Sequence, residues 1–288
     1  MARIKKLKSK GEFNAIRLFF FVFTFLLVLG YYFISLRTFN LNESQRSLSL
    51  VTSGTTSTSC PYSSISELKQ YETYPISHKE FDGNGRRHIV DPPKDGKITL
   101  VCCETTAGSL NVAVHHNWAK IGADRFLTMV KNDYFSSKVA LMRCMKNFIC
   151  QFGIAGIPEL NKEYRSIIDD PNWLPEGPTH RENDFGTSRF TKGYFAYAGG
   201  GKNSRSNQLI VALKDNRMLG GGSPWEVPFG EVVGSESFVT LSKISTVYGD
   251  KGPPQGLLRK EGSSENIAKQ YPDLDYMTAC NILDERDI

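Results

Sequence analysis

Few side chains in this sequence are placed to make or break bonds, and each can be weighed by what its chemistry would need. His115-His116 offers two imidazoles to a metal, yet no carboxylate or third ligand lies at suitable spacing, so the pair reads as a strand end. Five scattered histidines give no Ser-His-Asp arrangement. Gly199-Gly200-Gly201-Lys202 has the flavour of a phosphate loop. Asn203 stands where a magnesium-binding hydroxyl is needed, and the leading glycine is missing, so it reads as a turn. Asp273-Leu274-Asp275 would suit the metal site of a nucleotide-sugar enzyme. Such a domain should alternate strands and helices, which this sequence does not, and the tripeptide reads as a solvated loop. No metal and no cofactor is called for.

Charge and hydropathy say where the chain sits. The formal net charge of +5 lies in the first 17 residues, which carry six basic side chains against Glu12. The remainder holds 29 basic and 29 acidic residues, so the folded part lacks the basic footprint of a nucleic-acid partner. Residues 18–36 form an uncharged run of 19 (LFFFVFTFLLVLGYYFISL). At about 1.5 Å per residue, a helix of that length just crosses a hydrocarbon core of about 30 Å. A secretory signal peptide is the alternative. It fits less well, because the apolar run is long and no small-residue cleavage site follows. The basic residues ahead of the span place the N-terminus in the cytosol and the bulk of the chain in a lumen, the Golgi or endoplasmic reticulum. Asn42-Glu43-Ser44 then becomes a glycosylation sequon, with Asn42 the acceptor. A short tail, anchor and Ser/Thr-rich stalk are also the plan of Golgi glycosyltransferases, which keeps that enzyme class as a second alternative.

Six cysteines (Cys60, Cys102, Cys103, Cys144, Cys150, Cys280) would meet oxidising conditions there. None has C-x-x-C spacing, which argues against a zinc knuckle or a thioredoxin motif. Cys150 reads as a small buried hydrophobe, and Cys280 is left to pair with either Cys102 or Cys103.

The elements that must position any site begin after a Ser/Thr-rich stalk (37–64) and a loop-rich lead-in (65–95). Apolar runs at 98–103 and 110–114, separated by Ala107-Gly108, predict a β-hairpin. Ala123, Phe126, Leu127 and Val130 recur at helical spacing. Short strand patterns follow at 139–142, 148–153, 194–198, 208–213, 227–233 and 276–282. A second helical patch contains Phe238, Leu241 and Ile244. Many short strands and few helices predict a mainly β domain over 96–288 that closes on itself to hide its edges.

The order of these segments resembles the cyclophilins, the peptidyl-prolyl cis-trans isomerases. The likeness is carried by TTAGSLNVAVHHNWAKIGADRFLTMVKNDYF, LMRCMKNFICQFG, YFAYAGGGKNSRSNQLIVAL and VPFGEVVGSESFVTLSKI. It implies a closed eight-stranded antiparallel barrel capped by two helices, with proline-containing peptides as partners and the chain a monomer. The chemistry implied is rotation about X-Pro bonds, whose barrier of about 18–20 kcal/mol comes from amide resonance. By the resemblance, Arg143 is catalytic and Gln151 holds it in place. Phe148, Ile149, Ile210 and Leu219 line the proline socket, and Gln208 meets the substrate backbone. Several positions depart from the family pattern: Met142 stands for a His, Ile149 for a Met, Ile210 for a Phe and Met218 for a Trp. These changes imply a weaker or differently selective enzyme with reduced affinity for cyclosporin. A cyclophilin-like module that binds proline segments without turning them is the alternative.

Overall fold

The computed structural model describes residues 60–68, 92–94, 96–174, 190–216, 219 and 224–287. All of them belong to one compact unit, Thr58–Ile288. The expected membrane span 18–36, the Asn42 sequon and Met218 lie outside the described residues. Among those described, no helix is long and apolar enough to cross a membrane.

The domain is mainly β. Nine strands form one antiparallel sheet: β1 (Lys97–Thr105), β2 (Gly108–His115), β3 (Val139–Ala140), β4 (Arg143–Cys144), β5 (Ile149–Phe152), β6 (Tyr194–Tyr197), β7 (Leu209–Ala212), β8 (Gly230–Val233) and β9 (Tyr276–Asp287). Their order is β3-β9-β1-β2-β8-β6-β7-β5-β4. The β1–β2 hairpin turns where the sequence predicts. Thr105 faces Gly108 across a two-residue loop, and Gly108 has φ +129°, which a side chain would resist.

Strand alternation sorts the side chains into two faces. Cys150 and Phe152 on β5, Phe195 and Tyr197 on β6, and Leu209 and Val211 on β7 join one large core with Phe126, Phe135 and Phe229. The opposite face of the same strands carries Ile149, Tyr194, Ala196, Ile210 and Ala212 in a separate apolar cluster.

The predicted 139–142 strand is paired in the ladder only over its first half, and a separate two-residue strand follows it, so the sheet counts nine short strands. Val139 and Ala140 pair with β9, while Arg143 and Cys144 pair with β5. The two edges of the sheet are thus separated in sequence by Leu141 and Met142 alone. Among the described residues, four α-helices stand where two were expected: α1 (Lys120–Lys131), α2 (Ser235–Lys243), α3 (Gln255–Glu261) and α4 (Glu265–Gln270). The last two have 7 and 6 residues, too few turns to print a hydrophobic period.

Helix α1 buries Ala123, Phe126, Leu127 and Val130 as its spacing predicts, together with Gly122 and Met129. Its N-cap position is Ala119, which has no side-chain oxygen to offer. The free amides of the first turn find a distant acceptor instead: Ile121 N and Gly122 N donate to the Asp170 carboxylate at 2.8 and 2.9 Å.

All six cysteines are paired, as Cys60–Cys102, Cys103–Cys280 and Cys144–Cys150. Cys280 takes one of the two partners left open for it, the residue facing it across β1 and β9. Cys150, read as a lone buried hydrophobe, is bonded to its neighbour across the β4–β5 ladder. The Cys60 bond also brings residues 60–64, which composition assigns to the stalk, onto the sheet. Tyr62 N donates to Asn111 Oδ1 at 3.2 Å, and Leu68 packs with Leu100, Ala113 and Val233.

Candidate active site

Three short strands bring the predicted residues together. Arg143 on β4 faces Gln151 on β5, Gln151 faces Ile210 on β7, and Ile210 faces Ala196 on β6. Directly paired residues share a sheet face. One row therefore runs from a cation through an amide to an apolar floor.

The polar end is a chain of hydrogen bonds. Arg143 Nη1 donates to Gln151 Oε1 at 3.4 Å. Gln151 Nε2 donates to Gln208 Oε1 at 2.9 Å, and Gln208 Nε2 donates to Gln255 Oε1 at 3.0 Å. At the other end, Arg143 Nε donates to Asp250 Oδ1 at 2.6 Å. The Arg143 side chain is 38 % exposed, so its head is reachable from solvent. A guanidinium has five N–H donors, and these two bonds leave three on the terminal nitrogens.

Asp250 and Gln255 were not found by sequence reasoning. They come from the turn Gly249–Lys251 and the start of α3, more than a hundred residues from Arg143 in the first case and 47 residues from Gln208 in the second. Neither belongs to a local pattern that could have flagged it.

Beside the polar row, Ile149, Ile210 and Leu219 lie in the second apolar cluster, with Phe148 packed against it. The three aliphatic side chains are 5 %, 2 % and 7 % exposed. The cluster is larger than the expected socket, since Trp118, Leu174, Phe190 and Tyr194 complete it. Trp118 stacks on His115 with ring centroids 4.0 Å apart and meets Tyr194 edge-on at 5.3 Å. Edge-on aromatic pairs of this kind contribute about 0.5–1.5 kcal/mol each beyond their area burial.

The other motifs have structural employment. His116 Nε2 lies 2.8 Å from Thr99 Oγ1, and Thr99 donates to Glu285. Gly200 N donates to Ser204 Oγ at 2.8 Å inside a turn. Asp275 accepts from Thr106 Oγ1 and Ser245 N.

The arrangement suits a reaction without bond cleavage. A guanidinium held at two points can donate toward a prolyl nitrogen and favour its pyramidal form, which weakens amide resonance. An amide such as Gln208 can hold the adjacent backbone while one side of the peptide bond turns.

The profile of the cyclophilin type peptidyl-prolyl cis-trans isomerase/CLD family matches residues 100–259, which is more than half of the chain. Two solved structures of a cyclophilin type peptidyl-prolyl cis-trans isomerase from Cryptosporidium parvum are similar to it, the second determined in the presence of the dipeptide Ala-Pro. Each is 17% identical, covers 64% of this chain and 97% or 98% of its own, and has a TM-score of 0.42. No curated protein matches. With a family match over this span, and with the arginine and both glutamines of the resemblance joined in one row, the chain belongs to the cyclophilin-type peptidyl-prolyl cis-trans isomerase family.

Proposed function

We propose that this protein isomerises X-Pro bonds of client proteins in the lumen of the secretory pathway, held there by a single type II membrane span at 18–36. The observation that carries the catalytic part is the continuous row Asp250–Arg143–Gln151–Gln208 beside the apolar cluster of Ile149 and Ile210. Arg143 weakens resonance in the amide, Gln208 steadies the neighbouring backbone, and Phe148, Ile149, Ile210 and Leu219 receive the ring. Selectivity differs from that of relatives with a Met and a Phe in the socket, because Ile149 and Ile210 are branched and shorter.

The lumenal placement draws support from three disulfides, which persist in oxidising compartments, and from the basic residues ahead of the apolar run. We read residues 139–144 as one interrupted strand that closes the sheet into an eight-stranded barrel, since its two halves bond to opposite edges.

The test compares the full chain, solubilised in mild detergent, with its Arg143→Ala variant on a chromogenic peptide containing one Ala-Pro bond. The expected result is turnover above the uncatalysed rate that falls by about a hundredfold or more in the variant. Equal rates at background, with retained binding of the peptide, would make the domain a proline-binding module instead.

A further inference from the structure

The residue that fixes the catalytic arginine most directly lies in a turn far from it in sequence. Three features build that turn. Gly249 has φ +53°, a backbone state that glycine adopts without strain. Lys251 N donates to Tyr248 O at 2.8 Å and closes the 3₁₀ turn. Gly252 lies so close to the sheet that a Cβ there would stand 1.9 Å from the Met142 carbonyl oxygen. The close approach occurs at the residue preceding Arg143, so the turn is seated on the strand that carries the arginine. Behind it, Tyr248 accepts from Asp273 N at 3.1 Å and meets Tyr271 edge-on at 5.3 Å.

From this seat the segment reaches both ends of the polar row. Asp250 takes Arg143 Nε at 2.6 Å, and Gln255 takes Gln208 Nε2 at 3.0 Å. Each bond removes one donor and leaves others. Arg143 keeps three terminal N–H groups, and Gln208 keeps one N–H for a peptide carbonyl.

We propose that the segment 249–255 is a clasp in which Asp250 is a positioning residue for Arg143 and Gln255 for Gln208, so that one loop sets the spacing between the two groups that meet substrate. The inference rests on the isomerase reading for its kinetic consequence, but its geometric content stands apart from turnover. A flexible arginine would sample many rotamers, and a misplaced donor loses much of its advantage in the transition state. With Nε held by Asp250, Nη1 reaches Gln151 Oε1 at 3.4 Å.

The experiment uses the full chain in detergent, with Asp250→Ala, Asp250→Asn and Asp250→Glu, each alone and with Arg143→Ala. Two readouts are taken: kcat and KM on the Ala-Pro peptide, and the Nε–H resonance of Arg143 with its water-exchange rate. Asp250→Ala is expected to lower kcat by about tenfold with KM changed less than about twofold, a loss typical of mispositioning. Its Arg143 Nε–H signal should shift and exchange faster, while Asp250→Glu restores much of both. In the Arg143→Ala background, removing Asp250 should cost nothing further. An unmoved Nε–H resonance in Asp250→Ala, or the same kcat loss with and without Arg143, would overturn the clasp. If the wild-type chain shows no Arg143-dependent turnover, the isomerase reading fails, and the resonance alone decides the clasp.

Discussion

Arg205 and Asp170 meet at 2.9 Å with both side chains sealed from solvent, at 0 % and 1 % exposure. The same carboxylate accepts the first amides of α1, and the same guanidinium donates from Nη2 to Ile168 O. Tyr197 lies under the guanidinium, 5.6 Å from its centre, and donates to Gly122 O at 3.1 Å. A helix start, a loop and a strand thus share one buried ion pair.

Removing Arg205 leaves Asp170 charged in the core without its cation, and removing Asp170 leaves Arg205 with the more distant Asp169 carboxylate at 3.5 Å. Asp170→Ala should therefore cost about 3–5 kcal/mol of stability, read as a lowered midpoint in urea. Arg205→Ala should cost a similar amount, and the double variant less than the two losses added together, since each single variant breaks the same pair.

The cysteine pairing is checked by thiol counting. Under denaturing, non-reducing conditions the chain should react with no thiol reagent, because all six cysteines are bonded. Breaking Cys103–Cys280 by a double change to Ala should destabilise by roughly 3–5 kcal/mol, since that bond closes a loop of 177 residues. Detecting two or more free thiols in protein from an oxidising compartment would contradict the assignment.

Acid stability has a marker at the far end of β9. Glu285 bonds to Lys97 and Thr99, which hold its carboxyl below the ordinary 4.5. A lowered folded-state value means the contribution is present above about pH 4.5 and disappears as pH falls through the lowered value. Glu285→Gln should start less stable at neutral pH and decline less on acidification, so that the two unfolding curves converge in strong acid.

Lumenal placement is tested at Asn42. The wild-type chain expressed in a eukaryotic cell should lose apparent mass on glycosidase treatment, and Asn42→Gln should migrate with the treated form. A wild-type chain that shifts neither way would sink the type II orientation.

The strands were readable because each carries alternating or continuous apolar residues: 98–103, 110–114, 194–198 and 208–213 fall within a residue or two of β1, β2, β6 and β7. The α1 face was readable from Phe126 and Leu127. The break at Leu141-Met142 was not, because a change of hydrogen-bond partner leaves no trace in hydropathy. Within the site, Arg143, Gln151 and Gln208 lie in segments that resemble the family. Asp250 and Gln255 are polar residues in a glycine-rich turn and a 7-residue helix, and only tertiary contact gives them meaning. The aromatic backing of the socket by Trp118 and Phe190 was hidden for the same reason.

The bond from Cys60 to Cys102 decides how the domain would bear a pull along the chain that precedes it. Cys102 sits in the interior of β1, flanked by Asn111 of β2 on one side and Asn281 of β9 on the other. Tension arriving at Cys60 is passed sideways into a central strand and spread in shear over both neighbours, whereas a pull on the end of β1 would peel the sheet open one rung at a time. The site on β4, β5 and β7 is on the far part of the sheet order from that junction. Between Cys102 and the strands of the candidate site stand β9 and β3 on one side and β2, β8 and β6 on the other.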